Sequence, residues 1–251
     1  MAAAPGWARL DTGAKDALTA ALARTRIRMT ALEPQYVARG GQDGFDIALR
    51  RLDAVCHADY MFRAVAALTS GADTAGDLSA REVFLAESVL WHLARRGPEE
   101  RVILVAHNNH IQKAPVRFDN GPTVLPMGLH LQRALGSDYR AIALTHSDDH
   151  VAEMYPSPGH AAGFTVRDTA LDPPRPGTVE SALTRAGFGD QITMTDLRRP
   201  PDDTETGPLL TGIRSQSTTL ELSVTDAFDA VLCLPTVTTD DTIGFGGSVD
   251  R

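Results

Sequence analysis

The sequence has few cysteines and no long apolar run, and both shortages exclude classes of protein. Cys56 and Cys233 are the two cysteines, far apart and outside any metal-finger spacing, which favours reduced thiols over a disulfide framework. No segment reaches the roughly 18 apolar residues of a membrane span. Asp11, Lys15 and Asp16 interrupt the region where a signal peptide would be apolar. We therefore expect a soluble, cytoplasmic protein.

Positive charge is also scarce. Acidic residues outnumber Lys and Arg by 32 to 24, which gives a formal net charge of −8. Proteins that bind nucleic acid or anionic membranes normally carry a basic stripe, and this sequence has none. Neither partner is expected. The sequence also lacks a G-x-S-x-G elbow, a G-x-G-x-x-G loop and a Walker loop, so serine acyl-enzyme and nucleotide chemistry have no support.

Helical patterns dominate the first third of the 251-residue chain. Apolar residues recur at helical spacing over residues 11–29 and 45–68. Ser79 followed by Glu82 is a capping box, and the helix that it begins is predicted to end at Gly97. We predict a helical N-terminal part over residues 1–76.

Strand and helix patterns alternate in the rest of the chain. The apolar run 101–107 is typical of a strand that is buried on both faces in a parallel sheet. Later strands are predicted over 139–146, 192–197 and 228–237, with helices over 127–136 and 178–187. Residues 146–177 and 199–218 are rich in Pro and Gly and are predicted to be long loops. The sequence thus predicts an α/β domain over residues 77–251, with a mostly parallel sheet and flanking helices. Whether residues 1–76 continue the same domain is left open.

Four polar residues follow the first predicted strand directly: His107, Asn108, Asn109 and His110. In parallel α/β sheets, ligands bind beyond the carboxyl ends of the strands. Neutral imidazole can take a proton, donate to an oxyanion or ligate a metal, so we predict His107 and His110 as catalytic residues. Asn108 and Asn109 are predicted to bind substrate through their amides. The alternative is that the two histidines only cap the strand.

A second polar cluster, T-H-S-D-D-H, ends the next predicted strand. It places His146 and His150 around two aspartates, and imidazole with carboxylate suits a divalent metal such as Zn or Mn. A solvated acidic turn is the alternative, and we expect a cofactor not to be required. Arg214 is predicted to bind a substrate carbonyl or carboxylate, with a solvated loop position as its alternative.

An ordered set of motifs over about residues 78–235 resembles the erythromycin esterase family. The set comprises Arg81-Glu82, Ala86-Glu87-Ser88, Trp91, the A-H-N-N-H strand end, an M-G-x-x-L helix, L-G-x-x-Y and a late F-D-A strand.

The resemblance implies hydrolysis of an ester bond by attack of water without a covalent acyl-enzyme. In the family's name-giving members the bond is the lactone of a macrolide antibiotic, which implies links to antibiotic resistance and secondary metabolism. The resemblance also implies that His107 and His110 belong to the active site. Glu87 matches a family glutamate that would orient one histidine, and Arg81 matches an arginine that would contact substrate.

One family motif is missing. Members resemble this chain only in their C-terminal half, and their N-terminal half carries a G-E-x-x-H-G motif whose Glu and His are expected to activate water. No Gly-Glu pair occurs in the present sequence. The chain is therefore expected to be either a shortened hydrolase, in which His107 or His110 acts as base, or a catalytically incomplete half-domain. In the second case a missing N-terminal half or a homodimer partner would supply the base.

Overall fold

The computed structural model divides the chain into two compact units. It describes residues 4–70, 78–97, 99–117, 123–157, 164–198 and 210–238. Unit 1 comprises residues 1–92 and 120–124, and unit 2 comprises residues 93–119 and 125–251. The predicted division at residue 76 stays a prediction, and each unit is described separately below.

Unit 1 is helical, as the sequence predicts. Its helices are α1 (Ala4–Ala8), α2 (Thr12–Ala31), α3 (Glu33–Thr69) and α4 (Ser79–Ala94), and it also holds the short strand β2 (Thr123–Val124). The side chain of Asp11 accepts from the backbone N–H of Ala14 and so caps α2. Gly41, at φ 76°, interrupts α3 with a kink, a backbone conformation that would be strained for any residue with a side chain. Asp59 is buried and accepts from the Trp7 indole at 2.8 Å, which ties α1 to α3.

Unit 2 contains most of the strands. Its elements are α5 (Asn108–Ile111), β1 (Val116–Arg117), α6 (Met127–Leu135), a 3₁₀ turn (Gly136–Asp138), β3 (Ile142–His146), β4 (His150–Pro156), β5 (Phe164–Ala170), α7 (Val179–Arg185), β6 (Thr193–Asp196), β7 (Gly212–Ser215), β8 (Thr218–Glu221), α8 (Val224–Ala227) and β9 (Ala230–Leu234). The predictions for α6, α7, β3, β6 and β9 are confirmed. The α/β class with a helical N-terminal part is confirmed as well.

The central sheet has the strand order β3-β9-β6. β3 pairs with β9 in parallel, and β6 pairs with β9 antiparallel. Val231 and Cys233, which point to one face, are buried. The sheet is smaller and more mixed than the mostly parallel sheet that the sequence predicts, because β6 runs against its neighbour.

Two segments that the sequence predicts to be loops contain hairpins. β4 and β5 pair antiparallel from His150↔Ala170 to Pro156↔Phe164, inside the predicted loop 146–177. β7 and β8 pair antiparallel across a two-residue turn, at the end of the predicted loop 199–218. Residues 158–163 and 199–209 lie outside the described part of the chain. The loop prediction is wrong for the paired residues, because these strands carry charged and polar side chains and the Pro and Gly residues lie mostly outside them.

The predicted strand over residues 101–107 is not a strand in the structure. The segment has no regular secondary structure and makes no sheet pairing among the described residues. Ile103 and Val105 are each 90% exposed. The apolar side chains of this segment are therefore exposed in this structure. The prediction of a buried central strand is wrong.

The core of unit 2 lies where α6 and α8 pack on the rest of the unit. Leu131 on α6, Val224 on α8 and Phe228 just after it are at most 1% exposed. Ile213 on β7, in the same unit, is fully buried as well. Among the described residues no helix is both long and apolar enough to cross a membrane.

Candidate active site

The H-N-N-H segment forms the beginning of a one-turn helix. His107 is the N-cap of α5, and its Nδ1 accepts from the backbone N–H of Asn109 at 3.3 Å. Side chains that accept at this position satisfy one of the donors that a helix start leaves unpaired. His107 therefore does cap a local element, but the element is a helix and not the predicted strand.

Asn108 fastens this turn to the central sheet. Its Nδ2 donates to the carbonyl oxygen of Leu144 at 2.9 Å, and its Oδ1 accepts from the Leu144 N–H at 3.1 Å. The side-chain amide thus replaces a neighbouring strand at the edge of β3. Substrate binding by Asn108 and Asn109 stays a prediction, although Asn108 already has this structural task.

The C-terminal end of α5 is anchored as well. Tyr139 donates its hydroxyl to the Ile111 carbonyl at 2.6 Å, and burial raises the pKa of Tyr139 to about 12, so the donor stays protonated. Lys113 makes an ion pair with Asp229 at 3.0 Å. Asp229 in turn accepts from the Ala141 N–H at 2.8 Å. The histidine segment is therefore held at both ends on the sheet of unit 2.

The second ring nitrogen of His107 meets a serine that is distant in sequence. His107 Nε2 lies 3.2 Å from Ser215 Oγ at the end of β7. A backbone N–H can only donate, so the bond from Asn109 requires an unprotonated Nδ1. The neutral ring then carries its proton on Nε2 and donates it to Ser215. His107 is thus oriented as a hydrogen-bond donor and not as a base.

The surroundings of His107 keep its ring neutral. Partial desolvation of the ring lowers the pKa of His107, with the nearby His110 as a second cause. The Glu153 carboxylate acts in the opposite direction. Burial alone would raise the pKa of Glu153, but hydrogen bonds from Ser217 and Met154 lower it, so Glu153 is anionic near His107.

Arg214 is buried and not solvated. It is 7% exposed, and its guanidinium donates to the carbonyl oxygens of Asp148 at 2.6 Å and Asp172 at 2.8 Å. The alternative of a solvated loop arginine is wrong. Its predicted role in substrate binding stays a prediction, since two of its terminal nitrogens already hold the backbone.

The predicted residues on α4 lie in unit 1. The Glu87 side chain is 51% exposed and pairs with Arg50 at 3.3 Å. Arg50 also donates to Ser88 Oγ. Arg81 lies 3.9 Å from Glu82 and is 55% exposed. The roles of Glu87 and Arg81 stay predictions.

The two predicted metal ligands have different surroundings. Ligand atoms of His150, Asp148 and Asp149 lie within 4.8 Å of one another, and among the described residues this group does not include His146. His150 Nδ1 lies 3.0 Å from Asp149 and 3.2 Å from Asp148. The hydrogen bond with Asp149 raises the pKa of His150, which favours an imidazolium that cannot ligate a metal. His146 is buried, and neither ring nitrogen has a partner among the described residues. The geometry favours an ion pair between His150 and the two aspartates over a metal site. The metal site stays a prediction.

Two histidines of unit 2, the buried His146 and the partly desolvated His107, should make the fold sensitive to acid. Burial lowers the pKa of His107 and of His146 below the ordinary 6.5, and the charge of Arg214 adds to the effect on His146. The unfolded chain therefore binds more protons than the folded one below pH 6.5. We expect the free energy of unfolding to fall as pH is lowered through the folded-state pKa values. Urea unfolding from pH 7 to pH 5 measures this loss, and it should be smaller for His146→Gln.

Sequence reasoning did not find Ser215 or Glu153. Both lie on strands within segments that were predicted to be loops, and they approach His107 only through folding. The sequence analysis named Arg214, one residue before Ser215, but only as a substrate-binding candidate in a loop.

Comparison with known proteins identifies the family. A model described as erythromycin esterase matches residues 1–237. The chain is 34% identical to erythromycin esterase type II of Escherichia coli, over 88% of this chain and 52% of that protein. It is 31% identical to erythromycin esterase type I of Escherichia coli, over 94% of this chain and 56% of that protein.

Solved structures agree with this result. A mutant of the erythromycin esterase EreC in its open conformation matches with a TM-score of 0.84 and 31% identity, over 96% of this chain and 57% of that chain. A succinoglycan biosynthesis protein shares the fold alone, with a TM-score of 0.65 and 16% identity, over 92% of this chain and 52% of that chain. The chain spans about half the length of these relatives. The family model and the two esterases of Escherichia coli show that the chain belongs to the erythromycin esterase family.

Proposed function

We propose that this chain is an erythromycin esterase-like hydrolase that uses water to cleave an ester or lactone bond in a small, secondary-metabolite-like molecule. The observation that carries the proposal is the orientation of His107, whose Nδ1 accepts from Asn109 while its Nε2 faces Ser215. Family membership supports the reaction class. We place the reaction in the cytoplasm, since Cys56 and Cys233 are both free thiols, and we propose no cofactor for it.

His107 is assigned to the oxyanion. Attack of water on an ester carbonyl places negative charge on the carbonyl oxygen, and a preoriented donor stabilises that charge. The Nε2–H of His107 is such a donor when the substrate oxygen lies beside the Ser215 hydroxyl and shares this proton with it. Because Nδ1 is held by the Asn109 N–H, His107 is not available as the general base.

His110 is assigned to the attacking water. It lies three residues beyond His107 on α5 and is half-buried, and its charge affects the pKa of His107. In this assignment His110 takes a proton from the water as the water attacks the carbonyl carbon. Glu153 adds an anionic carboxylate near His107. A substrate contact by Asn109 completes the proposal.

The purified chain is the test. We expect it to hydrolyse an activated ester such as a nitrophenyl ester, with no initial burst of the alcohol product, since no acyl-enzyme accumulates. A burst equal to the enzyme concentration would contradict direct attack by water. Failure to hydrolyse any ester would contradict a hydrolase that works as this chain alone.

The second candidate function is a half-domain that needs another polypeptide, and one observation favours it. Leu144, Leu232 and Met194 form one row across the central sheet, and the outer two are 55% and 66% exposed. Ile142, in the next row of this face, is 46% exposed. Layered α/β proteins normally cover both faces of a sheet. In this alternative the polypeptide that corresponds to the rest of the relatives covers this face and supplies the missing base.

Complementation separates the two candidates. The complementary segment of the type II esterase, the part outside its match to this chain, would be produced separately and mixed with the purified chain. The half-domain function predicts an inert chain that gains ester hydrolysis in the mixture, and Leu144→Asp should prevent the gain. Equal activity with and without the added segment would contradict it.

A further inference from the structure

The hydrogen bonds at His107 form a chain with one direction. Asn109 donates to Nδ1, and Nε2 then donates to Ser215 Oγ. The first bond, at 3.3 Å, is long for an N–H donor and holds the ring weakly on its own. The Asn109 N–H selects the tautomer, and the contact with Ser215 is therefore needed to fix the ring angle.

The strand that carries Ser215 is bound by a buried glutamate side chain. Glu180 on α7 is 0% exposed, and its Oε1 accepts from the backbone N–H of Arg214 at 2.9 Å and from the Thr145 hydroxyl. These bonds join α7, β3 and β7 at the residue before Ser215. The Arg214 guanidinium then reaches the Asp148 carbonyl just beyond β3. Both bonds end on Oε1, and a buried acceptor is costly to leave without them, so this arrangement fixes the position of β7 closely. Glu180 Oε2 is buried and has no partner among the described residues.

The turn after Ser215 is also constrained. Gln216 has φ 55°, a conformation that non-glycine residues adopt at a cost of roughly 1 kcal/mol or more. The next N–H, of Ser217, donates to Glu153 at 2.8 Å, and the Thr218 hydroxyl donates to the Ser215 carbonyl at 3.0 Å. A strained turn persists only where the surrounding structure imposes it. Here the two hydrogen bonds impose the turn, and Ser215 is 7% exposed.

We propose that Ser215, whose strand the buried Glu180 side chain fixes through the Arg214 N–H, is a positioning residue that accepts the Nε2–H of His107 and holds the ring at the angle that Nε2 needs as a donor. The assignment rests on the proposed function, because it gives Ser215 a task in orienting the oxyanion donor. It differs from nucleophilic serine catalysis, in which the imidazole would have to accept the serine proton.

Proton NMR of the ¹⁵N-labelled full chain tests the assignment without any substrate. An imidazole N–H is visible near neutral pH when a hydrogen bond slows its exchange with water. We expect a His107 Nε2–H signal in the wild type, in Ser215→Thr, which keeps the hydroxyl, and in Ser137→Ala, which removes an exposed serine elsewhere in unit 2. The signal should be absent from Ser215→Ala. Its persistence in Ser215→Ala would overturn the proposal.

Kinetics and labelling supply the second part of the test. Ser215→Ala should lower kcat for an activated ester about tenfold at unchanged KM, the scale of one oriented hydrogen bond, and Ser215→Thr should restore most of it. Covalent modification of Ser215 by a fluorophosphonate would overturn the assignment, since it would show a nucleophile. An inactive wild type with the expected NMR signals would contradict the proposed function and leave the positioning of His107 by Ser215 intact.

Discussion

Replacing His107 by alanine is expected to lower kcat/KM for an activated ester by a factor of about 10²–10³, the usual effect of removing one oxyanion donor. The reason is the oriented Nε2–H, which the bond between Nδ1 and the Asn109 N–H imposes. Most of the loss should appear in kcat, because the developing oxyanion binds the donor more strongly than the neutral carbonyl does. Steady-state kinetics of the wild type and the variant measure it.

His92→Ala is the matched control for this experiment. His92 is an exposed histidine on α4, so its loss should leave the rate unchanged. His107→Ala also removes the N-cap of α5, which should cost about 1 kcal/mol of stability, and the variant must therefore be shown to be folded at the assay temperature. A folded His107→Ala protein with wild-type kcat/KM would contradict the assignment.

Gly128→Ala is expected to destabilise unit 2 by more than about 4 kcal/mol, a loss that single substitutions seldom produce. Gly128 lies in the first turn of α6, directly against the end of α5. A Cβ atom at this position would lie 2.0 Å from the carbonyl oxygen of Ile111 and 2.5 Å from that of Gln112. Backbone cannot move aside as a flexible side chain can, so α6 must separate from the histidine segment.

Urea unfolding measures this effect, with Gly40→Ala on α3 as the matched control. A Cβ at Gly40 would meet nothing within 4 Å, so that variant should keep or slightly raise the stability of the protein. If Gly128→Ala unfolds at the wild-type urea concentration, the close packing of α6 against α5 is wrong. The M-G-x-x-L motif thus has a steric cause, since only glycine allows this approach.

Local patterns predicted the regular elements well. The helical spacing in α6 and α7, and the short apolar runs of β3 and β9, were sufficient because each element buries one continuous face within its own segment. The hairpins β4–β5 and β7–β8 were missed because their strands carry charged and polar residues on exposed positions. The strand predicted over 101–107 fails because Ile103 and Val105 have no cover in this structure.

The site was predictable only in part for a similar reason. His107 and His110 share one turn, so the sequence itself places them together. Ser215 and Glu180 are brought to the site by the fold, and the direction of the His107 bonds depends on a backbone N–H that no residue type reveals. Spacing shows which groups can meet within a turn, but the role of each depends on partners that only tertiary structure supplies.

The most direct measurement is incubation of the purified chain with a macrolactone in ¹⁸O-labelled water, followed by mass spectrometry. The account predicts a ring-opened hydroxy acid with one ¹⁸O in its new carboxylate, formed by the wild type and by His92→Ala but only in trace amounts by His107→Ala. Intact lactone after incubation with the wild type, or equal product from wild type and His107→Ala, would contradict it.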